Sequence, residues 1–436
     1  MDAPHKIVIV GGGAGGLELA THLGNRLGRR AHAEVTLVDA EWTHVWKPLL
    51  HEVAAGSLDV GENALEFLAQ ARRHHFRFRL GYVDGVDRDA RRVGLAPMYN
   101  DHGQEITPRR TLPYDTLVLA VGSVTNDLGV EGVQEHCLFL DTTRQAERFQ
   151  QTLLGRLLHA HAQGGPRAPS ELDVAIVGGG ATGVELSAQL HDVTRQLAAY
   201  GLDELRPDEH IRLHVIQAGP RLVPALPERL SAATARALED LGIRVHCNSR
   251  VSKVTAEGVY TNDDEFIPAA IKVWAAGIKA PDWLGSIDGL ETTKGNQIRV
   301  ERSLQSTADE NIFALGDCAA CPRSDDDDWV PPRAQAAHQE AAFLARGLRA
   351  RLSGKPLPQY RYRDYGSLIA LGRYTTVGSL MGSLIGTIGV SGTFARLIYL
   401  WLYKSHQITL HGWTRTILLN IANLLRRGVD PRIKLH

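Results

Sequence analysis

DVAIVGGGATGVE, residues 173–185, is the stretch that decides how this chain must fold. Residues 174–177 form a short apolar run. Gly178, Gly180 and Gly183 then stand at G-x-G-x-x-G spacing, and Val184, Leu186 and Leu190 open a helical repeat. In such a turn one glycine bends the chain, one lets backbone touch a pyrophosphate, and one packs helix on strand. The free N–H groups at the helix start face the anion. The following strand, IRLHVI at residues 211–216, ends at Gln217, where an acid would ordinarily take the ribose hydroxyls. Residues 201–210 read as an extra loop between the two.

Working outward, the same pattern stands at the N-terminus. KIVIV at residues 6–10 is a continuous apolar run, as expected of a parallel strand buried on both faces. Gly11, Gly13 and Gly16 follow, then a helix over 17–27, the β-rich run AEVTLV at 33–38, and Asp39 in the ribose-binding position. Two such units in one chain predict two nucleotide sites. Two dinucleotides bound by one chain suggest electron transfer between them, as from NAD(P)H to a flavin.

The totals agree with an enzyme of that kind. The chain has 436 residues, 44% hydrophobic and 22% charged, with a net charge of −1. Its length suits two to three domains, and its charge balance gives no support to nucleic-acid binding. Four cysteines are too few for a disulfide framework, which points to a reducing compartment. No signal peptide or metal site is read, and no uncharged apolar run reaches the length of a membrane span.

Further strands are expected at 117–122, 244–246, 251–254, 270–275 and 311–317, and helices at 144–161 and 333–352. Gly122 and Gly277 close two of these strands. Residues 163–170, QGGPRAPS, read as a linker, and 325–328 as a solvated acidic turn. Beyond about residue 355 the composition shifts. Residues 366–392 are glycine-rich and apolar, FARLIYLWLY at 394–403 is strongly hydrophobic, and Trp413, Ile417, Ile421 and Leu424 recur at helical spacing. From Arg396 to the end there are seven Lys and Arg against one acid, Asp430. An apolar stripe with a basic flank suits a helix lying on an anionic membrane; a core or dimer-packing helix fits the pattern equally.

Taken together, the chain resembles the two-dinucleotide-binding flavoproteins, and among them the type II, non-proton-pumping NADH:quinone oxidoreductases. The resemblance spans essentially the whole chain. Its carriers are GGGAGG at 11–16, WKPLLHEVAAG at 46–56, GGGATGVELSAQL at 178–190, VWAAGIKA at 273–280, FALGDCA at 313–319 and, most diagnostic, RAQAAHQEA at 333–341. It implies an α/β fold with two Rossmann-like domains and a C-terminal membrane-associating region. An FAD domain, 1–125 with 286–354, would be interrupted by an NADH domain with a linker helix, 126–285. Residues 355–436 would anchor the protein and pair it as a homodimer.

The resemblance also implies roles. Gly11, Gly13, Gly16, Asp39 and Asp317 would hold a non-covalent FAD, and Gly178, Gly180 and Gly183 the NADH pyrophosphate. Lys47, Gly122, Gln217 and Gly277 are counted with the cofactor-binding residues. Glu185 would lie close to the nicotinamide, and Gln335 and Gln339, which share a helix face, where a membrane quinone docks. Neutral amides can hydrogen-bond quinone carbonyls without a charge to desolvate. Plainer roles stay open: Glu185 as a first-turn acid, the two glutamines as exposed helix residues. His338, between the glutamines, could relay a proton. The protein would work at the cytoplasmic face of the cell membrane.

Two departures matter. Disulfide reductases of this superfamily, and the related sulfide:quinone oxidoreductases, use catalytic thiols; residues 41–56 hold no Cys pair, and Cys318 and Cys321 read as packing thiols. Gln217 in place of an acid removes the repulsion of a 2′-phosphate, and Arg221 follows closely, so NADH with unusual tolerance of NADPH is expected. The competing activities are a soluble NAD(P)H flavin reductase or oxidase, and an NADH-sensing flavoprotein with slow turnover.

Overall fold

Runs that are apolar at every position become strands buried on both faces. In the computed structural model, which describes residues 3–100, 102–323, 328–365, 367–371, 375–382, 386–391 and 407–426, they assemble into two parallel sheets. Packing divides the chain into two units, Met1–Trp46 with Ala64–Val124 and Ile278–Arg363, and Lys47–Asn63 with Thr125–Gly277 and Asp364–His436.

The sheet of the first unit runs Ile312–Ala314, Thr116–Leu119, His5–Val10, Ala33–Asp39, Arg77–Leu80, all neighbours parallel. Ile7, Ile9, Leu37 and Leu117 lie fully buried in it. Ile312–Ala314 returns from far along the chain to pair with Thr116–Leu119, so this domain is discontinuous. Against the sheet packs the helix Ala14–Arg26, which in turn packs along the alanine-rich helix Ala334–Leu352. Small residues permit the close approach: a Cβ on Gly15 would meet Ala337 O at 3.2 Å. An antiparallel sheet of Val83–Asp87, Arg92–Leu95 and Arg110–Pro113 belongs to the same unit.

The second unit repeats the plan with four parallel strands in the order Arg244–His246, Leu213–Ile216, Val174–Val177, Ile271–Trp274. The fingerprint helix is Ala181–Ala199. Thr143–Ala162 starts at a capping box in which Thr142 and Gln145 satisfy each other's backbone N–H groups. The short helix Leu50–Ala54 packs on both of these, and so Lys47–Asn63, which adjoins the first domain in sequence, packs with the second. Four buried residues of that helix, Leu50, His51, Val53 and Ala54, drive the attachment.

One expectation is corrected. The loop at 201–210 contains a helical turn, Pro207–His210, because Pro207 sits at its first position with a preset φ. Within 366–392, whose glycine-rich composition assigned no element, lie three antiparallel strands, Ser367–Leu371, Thr375–Gly382 and Gly386–Ser391. The apolar run at 394–403, the acidic residues 325–327, and the charges of Arg396, Lys404, Arg427, Asp430, Arg432 and Lys434 lie outside the described residues. Among the described residues no helix is long and apolar enough to cross a membrane.

Candidate active site

The two glycine turns are built alike down to single atoms. A Cβ on Gly16 would lie 1.9 Å from Gly11 O, and one on Gly183 would lie 2.0 Å from Gly178 O. Only glycine lets each helix start so close to its strand. Gly13 and Gly180, by contrast, have no atom within 4 Å of an added Cβ. They are the N-caps of Ala14–Arg26 and Ala181–Ala199, and neither cap carries a side-chain hydrogen bond. Each turn therefore offers uncapped N–H donors beside open space where a side chain would otherwise stand. A dinucleotide pyrophosphate fits that chemistry.

The strand-end residues complete the parallel. Asp39 accepts the Gly12 N–H at 2.5 Å with one carboxylate oxygen and the Glu41 N–H at 2.9 Å with the other. Gln217 Oε1 accepts the Gly179 N–H at 2.9 Å. Glutamine thus replaces the acid in position and in hydrogen bond, while its charge is gone. Burial pushes the Asp39 carboxyl upward, and the two backbone donors oppose this. Arg221 donates to Pro224 O at 3.0 Å.

In the first unit Asp317 follows Ile312–Ala314 on a short 3-10 turn, and its Oδ2 accepts the Ser123 hydroxyl at 2.8 Å. Ser123 directly follows Gly122, which has φ +70° and open space around it. Beside them Glu340 accepts the Gly316 N–H at 2.6 Å. Complete burial pushes its carboxyl up to about 8, so near neutral pH this group holds a proton.

Residues of the helix Ala334–Leu352 divide by face. The Gln339 amide is used at both ends by the backbone of one residue: Nε2 donates to Arg363 O at 2.8 Å, and Oε1 accepts the Arg363 N–H at 3.1 Å. Gln335 lies one turn earlier and is half-buried. His338 Nδ1 lies 2.6 Å from Oε2 of Glu18, a fully buried residue that sequence reasoning passed over.

The second unit places Glu185 just beyond the first turn of Ala181–Ala199, not in it, and buries it. Its Oε2 is 3.7 Å from Nδ1 of His51, which the helix Leu50–Ala54 brings up. Lys47 Nζ is 3.7 Å from Asp141 Oδ1, and Asp141 also accepts the Thr125 N–H at 3.0 Å. Gly277 turns at φ +73° against Asn126 and Leu128. Cys318 and Cys321 are buried, and burial pushes the Cys318 thiol up to about 12 and the Cys321 thiol upward as well. Such thiols are poor nucleophiles.

Comparison with known proteins decides among chemistries that this fold can carry. The profile of the pyridine nucleotide-disulphide oxidoreductase family matches residues 5–341. A relative from Haemophilus influenzae named type II NADH:quinone oxidoreductase is 42% identical over 447 residues, covering 99% of this chain and 100% of its own. The chain belongs to the type II NADH:quinone oxidoreductases. Members of this family are flavoproteins that do not pump protons. A type II NADH:quinone oxidoreductase from Mycobacterium tuberculosis is 28% identical over 94% of this chain and 86% of its own. The fold agrees with that of NDH2 from Plasmodium falciparum in complex with NADH, at a TM-score of 0.81, 20% identity, and coverage of 99% of this chain and 100% of that one.

Proposed function

We propose that this chain oxidises NADH and reduces a membrane quinone by two electrons, using non-covalently held FAD. The observation that carries the reading is the duplicated glycine turn, with Asp39 on Gly12 in one unit and Gln217 on Gly179 in the other. Bound FAD supplies the redox chemistry, accepting a hydride and releasing electrons. The protein supplies binding, orientation and electrostatics.

Gly11, Gly13 and Gly16 approach the FAD pyrophosphate, with Asp39 at the ribose and Asp317, steadied by Ser123, at the ribityl or pyrophosphate part. Gly178, Gly180 and Gly183 hold the NADH pyrophosphate. Gln217, with one end fixed on Gly179, offers its amide N–H to the ribose. Glu185 orients the nicotinamide, and Lys47, Gly122 and Gly277 shape the cofactor pockets. Gln335 hydrogen-bonds a quinone carbonyl, while Gln339 holds the Arg363 backbone alongside. A Gln217 amide does not repel a 2′-phosphate, so NADPH is a tolerated donor.

The protein binds the cytoplasmic face of the membrane peripherally and works as a homodimer. The support is the helix Trp413–Arg426, where Trp413 is 69% exposed, Leu418 65% and Ile417 52%, beside exposed Arg415. Such a face lies in an anionic interface with its rings and aliphatic groups below the headgroups.

Stopped-flow absorbance tests the reading. NADH should bleach the flavin of the purified protein, and a quinone analogue should restore it at a rate that supports turnover. Bleaching without quinone-driven recovery would leave a flavin reductase instead.

A further inference from the structure

Glu18 and His338 form a contact that the proposed roles leave unused. Glu18, on Ala14–Arg26, is 0% exposed, yet its Oε2 sits 2.6 Å from His338 Nδ1. The His338 side chain keeps 37% exposure, so one end of the pair is sealed and the other is open. His338 stands three residues after Gln335 and one before Gln339, on the flank of the helix that carries the proposed quinone contact. The other groups around the pair are the titratable His22, which faces Glu18 and His338 and whose pKa burial lowers, and the charged Arg26 and Arg346 beyond it. The hydrogen bond to Glu18 raises the His338 pKa, and burial opposes it.

A helix clamp alone would need only a hydrogen-bond donor; an imidazole held by a buried carboxylate also stores a labile proton. The proposed reaction consumes one. Reducing a quinone to a quinol takes two electrons and two protons, and NADH gives up a hydride, equal to two electrons and one proton. The second proton comes from the medium. Gln335 has no proton to give, Gln339 is held by Arg363, and Glu340 is buried on the Gly316 N–H.

We propose that His338, oriented by Glu18, delivers that second proton to the quinone. The Nε2–H bond breaks as an O–H bond forms on the quinone, and the neutral imidazole regains a proton from water. Glu18 holds the Nδ1 side of the ring throughout, so that Nε2 alone exchanges its proton. This rests on the reading of the Gln335 helix as the quinone-reducing element.

The test uses the full-length, FAD-loaded protein, a short-chain quinone and stopped-flow reoxidation from about pH 5.5 to 9, the span over which a histidine titrates. Wild-type reoxidation should slow as pH rises through the His338 pKa. His338→Gln should slow it about 100-fold and flatten the profile, with flavin content and NADH reduction unchanged. Glu18→Gln should move the inflection to lower pH, and the His338 ring should titrate correspondingly lower by NMR; this variant decides if His338→Gln fails to hold FAD. A wild-type pH profile in His338→Gln, or an unmoved inflection in Glu18→Gln, overturns the inference alone. Reduced wild type that no quinone reoxidises rejects the quinone reading and the inference with it.

Discussion

Glu185 Oε2 lies 3.7 Å from His51 Nδ1, and both side chains are buried. Complete burial pushes the His51 imidazole down to about 4, with a backbone hydrogen bond at Pro48 opposing. The imidazole is therefore neutral at physiological pH, so Glu185 faces a dipole there and no cation. Glu185→Gln should slow flavin reduction by NADH tenfold or more with FAD content unchanged, as read by stopped-flow bleaching. His51 should also lend stability above its unfolded pKa near 6.5 that is lost as pH falls toward 4.

The two kinds of glycine should fail differently. Gly16→Ala drives a Cβ to 1.9 Å from Gly11 O and should cost about 1–3 kcal/mol of stability, lowering Tm even without FAD. Gly13→Ala meets no atom within 4 Å, so the apoprotein should melt as wild type while FAD affinity drops. Equal melting losses in the two apoproteins would contradict the cradle geometry.

Gln217→Glu keeps the acceptor that receives the Gly179 N–H and adds a charge. NADPH should then be discriminated against about tenfold more strongly than in wild type, as charge repulsion of a 2′-phosphate requires. The ratio of kcat/KM for NADH and NADPH measures it.

Gln339→Ala frees both backbone groups of Arg363 and should cost about 1 kcal/mol in denaturant unfolding, discounted for solvent exposure. Gln335→Ala should instead raise the KM for quinone. A KM effect confined to Gln339→Ala would reverse these assignments.

Glu340 binds a proton more tightly folded than unfolded, because burial raises its carboxyl from 4.5 to about 8. Its contribution to stability is thus present below pH 4.5 and declines as pH rises toward 8. Unfolding measured across that range should show the slope in wild type and lose it in Glu340→Gln.

The residues 173–185 and 5–39 determined their own structure, because strand, glycine turn and helix start are set by backbone geometry between near neighbours. So was the meaning of Gln217, whose place at the strand end follows from counting along one βαβ unit. What the tertiary structure alone decided are contacts between distant segments: His338 on Glu18, 320 residues apart, Gln339 on the Arg363 backbone, and His51 on Glu185. No periodicity encodes such pairs, since each depends on how helices pack after they form. Burial belongs with them, as it turned Glu340 into a proton holder and Cys318 into an inert thiol, and neither sequence position announces its solvent exposure.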